Sequence, residues 1–261
     1  MSAAAGAGAV LGLLAALLVP PAAGAGTFAA GPTPPAAPGE GARGREPAQA
    51  AWPWVAIGRV NRDGGGFCSG TLIAPDRVLT AAHCLWGRRL GRVLPVRALH
   101  FLAGYRGGAF LAHGRVRALR TDPALAFDRD GRPEDPTRDW AVLELERPID
   151  GAGVLRPVPI APTDLVERAV AEHRPLARAG YRRDRQHALS RSPACRPLGL
   201  ARGGRLLVHD CAAGQGDSGS PILILTETGW AVLAVHTAAV DHGGRRAGAA
   251  VVATPAMAAG R

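Results

Sequence analysis

Residues 77 to 86 read RVLTAAHCLW, and the fold turns on what this stretch means. His83 stands directly before Cys84, behind a run of small and β-branched residues. Three roles suit such an imidazole: metal ligand, base, or well-packed side chain. A zinc site needs further Cys and His at ligand spacing, and no second pair of that kind occurs in the chain. The base role requires a group that gives up a proton. A second stretch, GQGDSGSPI at 214 to 222, supplies one. Ser218 is flanked there by Gly216 and Gly219, which permit tight backbone angles that expose a hydroxyl. They also let backbone N–H groups, those of Gly216 and Ser218, converge on one point, as an oxyanion hole requires. Alone, a glycine-flanked serine is also an ordinary loop.

The third element is Asp139 in TRDWAVLEL, residues 137 to 145. By itself it reads equally as a turn residue opening an apolar strand. Together the three have a chemical sense. A serine hydroxyl is a poor nucleophile until a base takes its proton, and imidazole, with an unperturbed pKa of about 6.5, suits that task. A buried carboxylate fixes the imidazole tautomer and stabilises the imidazolium. The chain supplies them in the order His83, Asp139, Ser218.

The rest of the sequence sets the frame. Its 261 residues are enough for one large domain or two small ones sharing an interface. Gly 35 and Pro 22 suit a turn-rich all-β protein. The segments WVAIGRV, SGTLIA, RVLT, VRALHFLAG, DWAVLELE, GRLLVHD, PILIL, WAVLAVHT and GAAVVAT are short apolar runs between turn signals, the pattern of a β barrel or sandwich. In DWAVLELE, Ala141, Leu143 and Leu145 alternate with Val142, Glu144 and Glu146. One helix is expected, over 163 to 173, capped by Thr163 or Asp164. The net charge is +10, and every one of the 31 basic residues is arginine. A GC-rich coding sequence explains that bias, and an acidic partner is the functional alternative. The arginines are scattered, with only Arg182, Arg183 and Arg185 clustered, and aromatics are scarce at 5%. That argues against a nucleic-acid groove built on stacking. The oxygen-rich loop holding Asp128, Asp130 and Glu134 lacks EF-hand spacing and reads as solvated. No metal or cofactor is expected.

Residues 9 to 19, AVLGLLAALLV, are too short to span a bilayer comfortably, and Pro20 and Pro21 end the run. With Ala23 and Ala25 following, residues 1–25 read as a signal peptide, although no side-chain positive charge precedes the run. An uncleaved anchor is the alternative. Residues 26–50 read as a Pro/Gly/Ala-rich propeptide or linker, and 51–261 as the folded domain. Four cysteines in an exported chain imply two disulfides, with three pairings open.

The stretches WPWVAIGRV, CSGTLIAPDRVLTAAHC, RDWAVLELERPI, GQGDSGSPI and VLAVHT resemble trypsin-like and chymotrypsin-like serine proteases, over about 200 residues from Trp52 to Val252. The resemblance implies two packed antiparallel six-stranded β barrels, one over about 52–150 and one over about 151–254, with the triad His83, Asp139 and Ser218 in the cleft between them. It implies a secreted or periplasmic monomeric endopeptidase acting on polypeptides, with no nucleic acid and no membrane in its mature form. It also pairs Cys68 with Cys84 and Cys195 with Cys211, each closing a loop of about 15 residues worth about 3 kcal/mol. The pocket for the residue before the scissile bond would be lined by Ala212, Ala213, His236 and Thr237. Trypsin has an aspartate where Ala212 stands, so preference for Arg or Lys is not expected. The cysteine layout and VHDCAAGQGDSGSPI look closer to the bacterial glutamyl endopeptidase branch. There a histidine at the position of His236 meets a substrate carboxylate. A packed His236 with small neutral walls would select Ala, Val or Leu instead. In animal members a freed Ile-Val-Gly-Gly terminus pairs with the aspartate before the serine. That aspartate is Asp217 here, and no such motif precedes Trp52. A catalytically silent basic protein of the same fold, holding anionic glycans or membranes, is the competing function, but such proteins usually lack the histidine or serine. An α/β-hydrolase would run serine, acid, histidine, with the serine in G-x-S-x-G; residues 216 to 220 read GDSGS.

Overall fold

Strands begin where the Pro/Ala-rich composition gives way at Trp52 to alternating apolar residues. The computed structural model describes residues 51–149 and 155–259, so the expected signal peptide and linker lie outside the described residues. Eight strands come first: β1 (Ile57–Arg62), β2 (Phe67–Ala74), β3 (Arg77–Thr80), β4 (Trp86–Gly87), β5 (Arg92–Val93), β6 (Leu99–Ala103), β7 (Ala112–Thr121) and β8 (Ala141–Leu145). Six of them close into an antiparallel barrel in the order β1-β2-β3-β8-β7-β6, while β4 and β5 form a small separate hairpin. Inward residues such as Val60, Leu72, Val78, Phe101 and Leu143 fill the barrel, while Ile57 and Leu79 are buried on its outer face. Val142 is buried as well, so the alternation read in β8 is incomplete there.

The expected helix is α1 (Asp164–Ala171), with Leu165, Val166 and Ala169 on its buried face and no side-chain cap from Thr163. Seven strands follow: β9 (Leu176–Gly180), β10 (Ser190–Cys195), β11 (Pro197–Ala201), β12 (Leu206–His209), β13 (Pro221–Thr226), β14 (Gly229–His242) and β15 (Arg245–Val252). They form one curled sheet in the order β10-β9-β13-β14-β15-β12-β11. Its two edge strands, β10 and β11, are consecutive in the chain and divided only by Arg196. They amount to one strand bent across the mouth of the sheet, which reconciles seven strands with the six expected. Pro197 has no N–H to continue a ladder, and Ala194 sits at φ 56, so regular pairing breaks there. The Cys195–Cys211 bridge ties that corner to the chain beyond β12. A short terminal helix, α2 (Pro255–Ala258), turns back onto the first barrel. Arg77 donates to the Ala258 carbonyl (2.8 Å) and Arg120 to the Ala259 carbonyl (2.6 Å), satisfying carbonyls that a helix end leaves open.

Candidate active site

β3 and β8 are antiparallel neighbours with Thr80 opposite Ala141. Residues just beyond those ends must therefore meet: His83, three past Thr80, and Asp139, two before Ala141. His83 lies in a 3-10 turn, Ala82–Leu85, and the Cys68–Cys84 bridge pins that turn to β2. The His83 N–H donates to Asp139 Oδ1 (2.9 Å), and Nδ1–H donates to Oδ2 (2.7 Å). Both oxygens of a buried carboxylate are thus committed to one histidine. Because a carboxylate accepts at Nδ1, the neutral ring carries its lone pair on Nε2, the tautomer that can receive a proton.

Ser218 comes from the other sheet, on the loop between β12 and β13. Its carbonyl accepts from the Ser69 N–H (2.8 Å), while Ser69 Oγ donates to the Gly216 carbonyl (3.1 Å) and accepts from the Tyr181 N–H (2.8 Å). One residue of β2 thereby clamps the serine loop against the first barrel. Gly219, at φ +81, packs so tightly that a Cβ there would lie 2.2 Å from both the Ser69 carbonyl oxygen and Thr80 Oγ1. The loop therefore abuts the strand that leads into the His83 turn. His83 and Ser218 are both half-buried, and no hydrogen bond joins the Ser218 hydroxyl to the imidazole in this structure. Such contacts are commonly long without substrate. Gly216 has φ +97, and a Cβ there would lie 2.5 Å from the Tyr181 carbonyl oxygen. Among the described residues, the N–H groups of Gly216 and Ser218 donate to no backbone carbonyl.

Asp217 and its partner were only half legible in the sequence. Asp217 is fully buried, and its cation is Arg178 of β9, itself buried. The carboxylate also accepts from the Gly214 N–H (2.8 Å), and Arg178 Nε donates to the Ala212 carbonyl (2.8 Å). Burial pushes the Asp217 carboxyl up, and Arg178 and the Gly214 N–H oppose that. An arginine amid the apolar LARAG strand was the available signal.

His236 lies in β14, and its ring meets a second buried histidine, His209, that sequence reasoning missed. The Cys211 N–H donates to His209 Nδ1 (3.2 Å), so the His209 proton is on Nε2. That proton is shared with His236 Nδ1 (3.1 Å), which leaves the His236 proton on its own Nε2. Burial holds both rings neutral, aided by the Arg178 charge; His209 is lowered to about 4. Ala212 is exposed, Ala213 half-buried, and Thr237 buried beside the Ala249 carbonyl.

This pair carries a stability prediction. An unfolded histidine titrates near pH 6.5 and His209 near 4, so between those values the unfolded chain binds the proton and stability falls as pH falls. The loss for this group is up to about 1.4 kcal/mol per pH unit. The melting temperature should be lower at pH 4.5 than at pH 7, and less so in His209→Gln. An equal drop in the variant would place the acid sensitivity elsewhere.

Two other features are structural. Asp128 caps its own turn, accepting from the Asp130 and Arg132 N–H groups (2.9 and 2.8 Å). Cys68, His83 and Cys84 cluster as metal ligands would, but both sulfurs are spent in the disulfide.

A closed six-stranded barrel beside a curled β sheet, with a His–Asp pair at their junction, defines a chymotrypsin-like fold. Residues 42–258 match the family described as Trypsin, and the chain belongs to that family. It is 32% identical over 189 residues to Serine protease 56 of Homo sapiens, covering 66% of this chain and 29% of that protein. It is 30% identical over 135 residues to Modular serine protease of Drosophila melanogaster, covering 49% and 21%. The chain thus spans under a third of either relative. Among solved structures it resembles a Glu endopeptidase in complex with MPD (TM-score 0.60, 18% identity), over 80% of this chain and 90% of that one.

Proposed function

We propose that this chain is a secreted serine endopeptidase acting through an acyl-enzyme. The observation that carries the reading is the doubly hydrogen-bonded His83–Asp139 pair, which leaves Nε2 as the ring's acceptor. Ser218 Oγ attacks the peptide carbonyl carbon as His83 Nε2 takes its proton. The Gly216 and Ser218 N–H groups receive the oxyanion. His83 then returns the proton to the leaving nitrogen, and water repeats the sequence on the ester. Asp139 stays ionised and holds the imidazolium. A catalytically silent role is not favoured, since histidine, aspartate and serine are all present.

For the residue before the scissile bond we propose an acidic side chain, with Ala212, Ala213, His236 and Thr237 lining its pocket. The support is the His209–His236 relay, which fixes a donor proton on His236 Nε2. Ala212 offers no carboxylate to receive a cationic side chain, and its carbonyl is taken by Arg178, which is paired with Asp217. Peptide-library digestion by the parent and by His236→Ala tests activity and pocket together. Glu, and more weakly Asp, should dominate before the cut in the parent, and that preference should vanish in the variant. An Ala, Val or Leu profile unchanged by the substitution would mean a merely packed histidine, and Arg or Lys preference would overturn the pocket. The exported protein used for the digestion should begin beyond Ala25; an intact Met1 would favour a retained anchor.

A further inference from the structure

Three arginines at one end of the site have no carboxylate partner among the described residues: Arg62, Arg88 and Arg183. They come from three separate segments. Arg62 ends β1, and its guanidinium folds back over the hairpin, where a Gly66 Cβ would lie 2.3 Å from it. One nitrogen donates to the Trp86 carbonyl (3.4 Å), and Nε is buried with no acceptor. Trp86 lies three residues past His83, and Arg88 follows two further on. Arg183 lies just after β9; its N–H donates to the Gln215 carbonyl (2.7 Å) and stands 3.1 Å from where a Gly216 Cβ would be. The Phe67 ring is 2.9 Å from that same point. The three segments are thus linked in a row. Arg62 reaches the Trp86 carbonyl two residues before Arg88, its hairpin leads through Gly66 to Phe67, and Phe67 and Arg183 both border Gly216, one of the proposed oxyanion donors.

Among the described residues no carboxylate forms an ion pair with any of the three. Burial lowers the proton affinity of Arg62, and the nearby Arg88 and Arg183 lower it further. The neighbouring acids are engaged or remote: Asp184 holds Arg182 (2.6 and 3.0 Å), and the exposed Asp63 faces His100 (3.4 Å). Like charges gathered without a counterion make a focused positive field, which an incoming anion relieves. The side of the scissile bond follows from the chemistry. The leaving nitrogen is protonated by His83, so the leaving half of a substrate lies beside the His83 turn. Trp86 and Arg88 continue that turn.

We infer that Arg62, Arg88 and Arg183 form an anionic subsite for the leaving half of the substrate, taking an aspartate or glutamate one or two residues after the scissile bond. This rests on the peptidase reading above and extends it to the far side of the cut.

The test uses fluorogenic peptides identical up to the bond, carrying Glu, Gln or Arg at the first or second position after it. At low salt, kcat/KM should favour Glu over Arg by about tenfold or more, with Gln between. The ratio should shrink at about 0.5 M NaCl and approach one in Arg62→Gln/Arg88→Gln/Arg183→Gln. Should that triple variant fail to fold, Arg88→Gln/Arg183→Gln, both at exposed positions, should still lower the ratio severalfold. Equal rates for Glu and Arg peptides in the parent, or a ratio unmoved in the double variant, would overturn the subsite. Covalent labelling of Ser218 by a fluorophosphonate and hydrolysis of the Gln peptide separate the two levels. If both occur while the ratio is one, the subsite alone fails; if neither occurs, the peptidase reading fails with it. Heparin retention lost in the same variants alongside a ratio of one would assign the arginines to an anionic polysaccharide and overturn the proposal.

Discussion

Replacing Ser218 with alanine is expected to lower kcat by about a millionfold, the scale on which loss of a serine nucleophile acts when base and nucleophile work as one unit. The fold should survive the change. The contacts of Ser218 with its surroundings run through its backbone, its carbonyl accepting from the Ser69 N–H (2.8 Å), and alanine keeps that group. The melting temperature should therefore stay near the parent value, which separates lost chemistry from lost structure. The parent should be labelled by a fluorophosphonate and the variant should not. Turnover in Ser218→Ala within tenfold of the parent, or equal labelling, would remove Ser218 from the proposed triad.

The second large effect concerns Arg178. Truncating it to methionine leaves Asp217 buried without its cation, and stranding one member of a buried pair costs about 3–5 kcal/mol. Asp217 lies between Gly216 and Ser218, so the residue that loses its anchor is the one that sets both proposed oxyanion donors. Arg178→Met should thus lower the melting temperature and abolish hydrolysis together. The double change Arg178→Met/Asp217→Asn removes the stranded charge, and stability should largely return, because the cost lies in the unpaired carboxylate. Parent-like stability and activity in the single variant would mean that the pair does not hold the loop. The mechanistic point is where the cation comes from. In the animal members this chain resembles, the aspartate pairs with a terminal amine freed by cleavage. Here β9 of the folded domain provides the partner.

Much of the site was readable before any coordinates because its parts are local. LTAAHC and GDSGSP are contiguous, and the need for glycine at 216 and 219 is written in the residues themselves. The all-β class followed from short apolar runs and frequent turn signals, and α1 emerged close to its expected span. Other parts were not readable. His209 looked like one polar residue in GRLLVHD, and only the pairing of β12 with β15, and of β15 with β14, carries it to His236, 27 residues away. Arg183 belonged to a visible basic cluster, but Arg62 and Arg88 did not, since their proximity depends on a hairpin and a turn meeting across the barrel wall.

The sequence by itself determined the class of fold, the identity of the candidate nucleophile, base and acid, and the absence of a carboxylate at Ala212, because each rests on residue type within a short window. The tertiary structure alone decided three further things. Asp217 is neutralised by Arg178; the His236 proton sits on Nε2 by way of His209; and Arg62, Arg88 and Arg183, from three separate segments, come close enough to act on one another. The physical reason is common to all three. Charge pairing, tautomer choice and electrostatic focusing act through space over a few ångströms, and strand register, not sequence distance, determines which side chains come that close.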